Sequence, residues 1–211
     1  MEQSIFKGDG KMNTRKLLFY LSAVLLGGCV PVISLHPLFT EEQVVFDEKL
    51  LGTWVDDPND PDTTWQFTRS DKRKNAYLLV FSDDNGKKGS FIAHLVKLEG
   101  RLFLDAYPSE VPWEPEDPEK VRWPYNSLFL IPTHTFAKIE SIGPQLKMRI
   151  TNEDDVKKLL KEHPDSVKHT AIEDRVVLTA STKDLQAFVL KYADDDIVFT
   201  NEIVLERKEG K

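Results

Sequence analysis

Residues 76–107 read AYLLVFSDDNGKKGSFIAHLVKLEGRLFLDAY. Ala76 to Phe81 is an apolar strand and Ser90 to Leu98 is a second one. Between them Asp83-Asp84-Asn85-Gly86 is the strongest hairpin signal in the chain, because Asn-Gly adopts the positive-φ turns whose twist matches paired strands. In the second strand Ile92, His94, Val96 and Leu98 fall on one side, since strand side chains alternate between faces. Glu99-Gly100 then turns the chain into Arg101 to Tyr107. Strands joined by turns this short pair antiparallel, so the stretch is a meander.

The pattern continues in both directions. Upstream, Thr64 to Arg69 alternates with Trp65 and Phe67 on one face. Downstream, residues 108–127 break the rhythm with Pro108, Pro112, Pro115, Pro118 and Pro124. Such long connections inside a compact domain are commonly functional or disordered. Strand-like sequence resumes at Leu128 to Ile139, with Pro132 marking an edge or a break, and again at Leu146 to Ile150. Asn152 caps a predicted helix with Val156, Leu159 and Leu160 as its buried stripe. After a strand at Arg175 to Ala180, Ser181 and Asp184 open a second helix, with Leu185, Phe188, Val189 and Tyr192 on one face. Ile197 to Glu206 reads as the closing strand. The predicted fold is mainly β, an antiparallel barrel or barrel-like meander with two accessory helices, and residues 46–211 form one domain.

The chain has 211 residues, 40% hydrophobic and 30% charged, which is enough for one domain with a real core. Its formal net charge is -7, and residues 1–28 carry four basic side chains against two acidic ones, so the chain after residue 28 stands at -9. That excess argues against a nucleic-acid partner, which needs a basic face. The only cysteine is Cys29, so the domain has no disulfide and no thiolate metal site.

Cys29 ends a segment of separate character. Arg15 and Lys16 precede ten residues, Leu17 to Leu26, without a charge, followed by Gly27-Gly28. These are the parts of a secretory signal, and the apolar run is well short of the ~20 residues that span a bilayer. Met12 gives a compact n-region and is an alternative translation start. The stretch Leu26-Gly27-Gly28-Cys29 resembles the lipobox of bacterial lipoproteins. The resemblance implies a signal peptide over 1–28, a diacylglyceryl thioether on Cys29, and residence in a bacterial cell envelope with the membrane as partner. Val30 follows where an aspartate signals retention, which implies the periplasmic face of the outer membrane if the organism has two membranes. Residues 29–45, with Pro31 and Pro37, then read as a tether.

Residues 46–55, FDEKLLGTWV, resemble the opening of lipocalins and related calycin barrels, in which a helical turn leads into Gly-x-Trp at the first strand. The resemblance implies that Trp54 plugs the closed end of a barrel and that a basic side chain of the last strand, here Arg207, covers the ring. Two helices among the later strands, and none after the last, depart from that family. Ser34-Leu35-His36-Pro37-Leu38 with Leu50 to Trp54 also resembles a group of bacterial lipoproteins, a resemblance that implies no activity.

Catalytic signals are absent from the sequence, so an enzyme is not expected. The five histidines form no HxH or HExxH pair, which leaves no metal or other cofactor expected. His94, on an apolar strand face, is either a cavity-lining residue or a satisfied core histidine. His134 has no neighbouring nucleophile motif. Asp194-Asp195-Asp196 lacks the spacing of a calcium loop and reads as a solvated turn. Trp113, Trp123 and Tyr125 remain the best contact candidates, either as a lid over a barrel mouth, as a protein-contact patch, or as a cap folded onto the core. The expectation is therefore a binding module for a small apolar ligand, with an envelope interaction or structural protein of solid core as the rival.

Overall fold

A computed structural model describes residues 30–59, 61–110 and 130–208. Seven strands follow one another in space as they do in sequence: β3 (Gly52–Val55), β4 (Thr64–Arg69), β5 (Tyr77–Ser82), β6 (Lys88–Leu98), β7 (Arg101–Pro108), β8 (Thr135–Ile142) and β9 (Gln145–Ile150). The chain then leaves the sheet for helix α1 (Glu153–Glu162), a hairpin of β10 (His169–Ile172) and β11 (Arg175–Leu178), and helix α2 (Thr182–Lys191). It returns as β12 (Asn201–Arg207), which pairs with β9 on one side and β3 on the other, closing a barrel of eight antiparallel strands. Two short strands precede the barrel: β1 (Ile33–Ser34) runs parallel to β11, and β2 (Val44–Val45) pairs with β6 beyond the reach of β5.

Alternation builds two cores from one wall. Each barrel strand contributes a large side chain to one inner layer: Trp54, Phe67, Leu79, Leu95, Leu104, Ile139, Met148 and Leu205, all at most 4% exposed. The opposite face of β6, β7 and β8 is also apolar, and Val96, Leu98, Phe103 and Phe136 pack there against Val156, Leu160, Leu185 and Phe188 of the two helices. That second layer explains why β6 reads as a nearly continuous apolar run. The β5–β6 turn follows its chemistry: Asp83 Oδ1 accepts from the N–H groups of Asn85 (3.0 Å) and Lys87 (2.7 Å), and Gly86 takes φ +73°.

Several expectations from the sequence are corrected. Residues 30–45 are no free tether, because Val32 and Leu38 are fully buried and β1 and β2 join the two sheets. Of the strand expected from Leu128, residues 128 and 129 lie outside the described residues; β8 starts at Thr135, within 130–134 only His134 is bridged, to Ser34, and Pro132 has no N–H to offer a ladder. Strand β12 starts at Asn201 rather than Ile197. Val198 and Phe199 belong instead to the helix-facing core, where Phe199 lies 5.9 Å from Phe103 and 6.4 Å from Phe136. The aspartates at 194–196, by contrast, do form the exposed turn expected of them. Asp194 pairs with Arg101 and Lys138 and Asp196 with Arg149, which fastens the turn after α2 to the barrel wall.

The seam between first and last strands is short. Only Val55↔Glu206 and Trp54↔Arg207 face each other across it, with one further hydrogen bond from Lys208 N–H to Thr53 O at 2.9 Å. Side chains reinforce it. Trp54 is wholly buried and donates Nε1–H to Leu50 O at 2.9 Å, and the Arg207 guanidinium lies 4.2 Å over its ring. The same guanidinium donates to Leu51 O at 2.7 Å and to Lys49 O. Gly52 has φ +123°, and a Cβ built there would stand 2.6 Å from Arg207 Nη1.

Gly52→Ala therefore combines backbone strain with a collision, and is expected to lower unfolding free energy by at least about 2 kcal/mol in urea titration. Gly143→Ala, at a turn with open space around it, is the control and should change it by less than about 0.5 kcal/mol.

Candidate functional site

The strand register gives the barrel two unlike ends. One end carries the turns after β4, β6 and β8 and the seam at Trp54 and Arg207. The 3₁₀ turn Glu48–Leu50 lies across it, with Leu50 fully buried. Phe46 stacks on Tyr77 at 4.5 Å, the Arg69 guanidinium covers Phe46 at 4.1 Å, and Arg69 pairs with Glu48 at 3.1 Å. The Tyr77 hydroxyl exchanges hydrogen bonds with the backbone of Asp47 (2.7 and 3.0 Å), and burial pushes its ionisation up to about 12 despite that hydrogen bonding. This end is sealed.

At the opposite end the inner wall is apolar, and among the described residues it is covered less fully. Trp65 and Phe81 face each other across β4 and β5, 5.2 Å apart and edge to face. Phe91, Ile150 and Ile203 occupy the same inner surface on β6, β9 and β12, and all five are only half-buried. Asn201 shares their face of β12, opposite Ile150, and its side-chain Nδ2 is buried with no hydrogen-bond partner among the described residues. A half-buried apolar surface with one unused amide donor suits a hydrocarbon segment that carries an oxygen.

A polar cluster sits on the outer wall beside this end. Asp105, fully buried on β7, accepts the Leu38 N–H at 2.8 Å and shares a 2.7 Å hydrogen bond with His134 Nδ1. His94 faces Asp105 across the β6–β7 ladder and stacks with Phe39 at 4.3 Å, while Tyr107 lies 4.6 Å from the His134 ring. His94 Nδ1 is buried without a hydrogen-bond partner, and burial, more than the neighbouring charges, holds its pKa below 6.5. Asp105 opposes that shift, and His134 and Arg73 add to it. Ser34, bridged to His134 through the backbone, directs its hydroxyl to His36 O at 2.8 Å. The cluster thus pins residues 34–39 to the barrel wall.

Of the residues singled out in the sequence, Trp54 and Arg207 lie together at the sealed end. His94 is not inside the barrel: its face of β6 points outward, under Phe39, while Ala93 and Leu95 point in. Trp113, Trp123 and Tyr125, and Cys29 with the signal segment, lie outside the described residues. Sequence reading passed over Asp105, Asn201 and the Trp65–Phe81–Phe91 rim. Asp105 sits in an otherwise apolar strand, LFLDAY, and an acid there is the signal that something on the wall needs an acceptor. Among the described residues no three His, Cys, Asp or Glu side chains gather closely enough to hold a metal. A depression of about 420 Å³ between α1 and the turn after α2 is open to solvent and mixes charged residues such as Asp155, Lys158 and Glu162 with the apolar Leu159, Tyr192 and Ile197.

Asp105→Ala leaves the Leu38 N–H buried without an acceptor, at a cost of about 1–3 kcal/mol; Leu38 amide exchange should accelerate at least about tenfold, whereas Asp105→Asn keeps an acceptor and most of the protection. His94 gives a pH signature. Its folded-state pKa is lowered from 6.5, so the unfolded chain binds the proton more readily and stability falls as pH drops through that value. Thermal melts between pH 7 and 5 should show this loss, and it should be smaller in His94→Phe, which keeps the ring beside Phe39. Glu153 acts in a lower window. Burial would raise its pKa, but hydrogen bonds from Val176 N–H and Lys157 and the charge of Arg175 hold it below 4.5, so its contribution is lost only as pH falls beneath that value.

Neither the protein-family models nor the curated proteins nor the solved structures compared with this chain give a match, so the site is read from its own residues.

Proposed function

We propose that this chain is an envelope lipoprotein, held by acyl chains on Cys29, whose barrel binds the apolar part of a small ligand at the end opposite Trp54 and Arg207. The observation that carries the reading is the half-buried inner rim of Trp65, Phe81 and Phe91 above an interior already filled by side chains. The filled floor limits what enters to a short apolar segment rather than a whole molecule. Asn201 Nδ2 supplies the polar handle, suited to a carbonyl or carboxylate oxygen next to a hydrocarbon chain. No catalysis is required of such a site. The acidic balance of the chain after residue 28, -9, leaves attachment to the acyl chains, because anionic lipid surfaces attract basic segments, and two or three chains make that attachment durable.

The mature chain carrying Cys29→Ser should bind cis-parinaric acid with an emission increase. Trp65→Ala and Phe91→Ala should each weaken binding about tenfold, equivalent to ~1.4 kcal/mol, with unchanged urea midpoints. Equal binding by a Trp65→Ala/Phe91→Ala double variant, or no binding by a folded parent, would remove the ligand reading. In the native host, labelled palmitate should enter the wild type and not Cys29→Ser; equal incorporation would remove the anchor.

A further inference from the structure

The place where the chain leaves the barrel toward Cys29 constrains how the body stands on a membrane. Val30 O accepts the Glu153 N–H at 2.9 Å, and Glu153 begins α1 directly after β9 has ended at the rim. Val32 is already fully buried. Only Val30 and Pro31 therefore separate Cys29 from the packed body, a reach of about 10 Å at full extension. A domain on so short a leash cannot stand away from the bilayer.

The surface around that exit is apolar. Val30 is 45% exposed, Leu35 39%, Leu130 54% and Ile131 73%. All four lie within four residues of the Ser34↔His134 bridge, on the segments that lead into β1 and β8 or out of β1. Thr135, the first residue of β8, pairs with Ala106 near the end of β7, at the same end of the barrel as Trp65, Phe81 and Phe91. The anchor, the exposed aliphatic side chains and the aromatic rim thus share one end. The occupant that suits them is an uncharged hydrocarbon surface, since the part of the chain after residue 28, at -9, gains nothing from anionic headgroups.

We infer that the barrel docks rim-down on the bilayer, with Leu130 and Ile131 entering the acyl region beside the Cys29 anchor, so that the chain taken at the rim comes from a membrane lipid. This rests on the lipoprotein reading above and adds an orientation and a ligand source to it. The experiment uses the lipidated protein in phosphatidylcholine vesicles. Acylation blocks the only native thiol, so an added cysteine is the sole site for a bimane label. Ile131→Cys and Leu130→Cys report on the rim, and Lys74→Cys, exposed in the β4–β5 turn at the sealed end, is the reference. Lipids brominated in the acyl chains should quench the label at 131 and 130 at least about twofold and leave the label at 74 unchanged. Quenching at 74 equal to that at both rim positions, or at none of them, overturns the orientation while leaving the anchor intact. Labelling of wild type at Cys29 shows a free thiol and overturns the anchor and the orientation together.

Discussion

An up-and-down barrel loses its edges only if its first and last strands meet, and here they meet over two residue pairs. The seam holds because Trp54 and Arg207 add what the ladder lacks. One ring is buried beneath the barrel floor, and one guanidinium covers it from outside and satisfies two carbonyls of the preceding turn. Gly52 is the residue that lets the arginine lie so close. The long excursion between β9 and β12 must return the chain in register for this contact, and its exposed turn lies against the wall through surface ion pairs of Asp194 with Arg101 and Lys138 and of Asp196 with Arg149.

Sealing one end makes the ends inequivalent. The floor takes Trp54, Phe67, Tyr77 and Leu79 out of solvent, whereas the rim leaves Trp65, Phe81 and Phe91 half-covered. The strap of residues 30–45 crosses the outer wall beside the rim and is held there by Asp105, whose carboxylate substitutes for a strand partner at Leu38. Burying that acid is tolerable because both oxygens are used, one by the backbone and one by His134. His94 beside it is kept neutral by burial, which ties the stability of this strap to pH near the histidine range.

The meander was legible because its signals are local. Alternation, the Asp83–Gly86 turn and the Gly-Thr-Trp opening each occupy a few residues, and their spacing fixes strand order. What stayed hidden depended on distant partners. The apolar run Ile197 to Phe199 looks like strand, but Phe199 packs on Phe103 and Phe136 on the helix-facing side of the wall, a choice made by tertiary contacts. The prolines at 31 and 37 suggested a tether and entry segment without helix, and they leave β1 free to pair with β11, a strand 144 residues further on in register. For His94 the sequence left a cavity-lining and a core reading open, because β6 is buried on both faces and alternation cannot say which is inner; the ring lies on the outer face under Phe39. Asp105, Asn201 and the rim emerged only once eight strands had been wrapped around one axis.

The asymmetry of the two ends is the feature on which ligand, anchor and orientation all depend. Its most direct test is two-dimensional NMR of the isotope-labelled mature domain titrated with decanoate. The account predicts shifts and intermolecular contacts at Trp65, Phe81, Phe91, Ile203 and the Asn201 side-chain amide, with Trp54 Nε1–H undisturbed. Contacts centred on Trp54 and Arg207, or in the depression between α1 and the turn after α2, would contradict it.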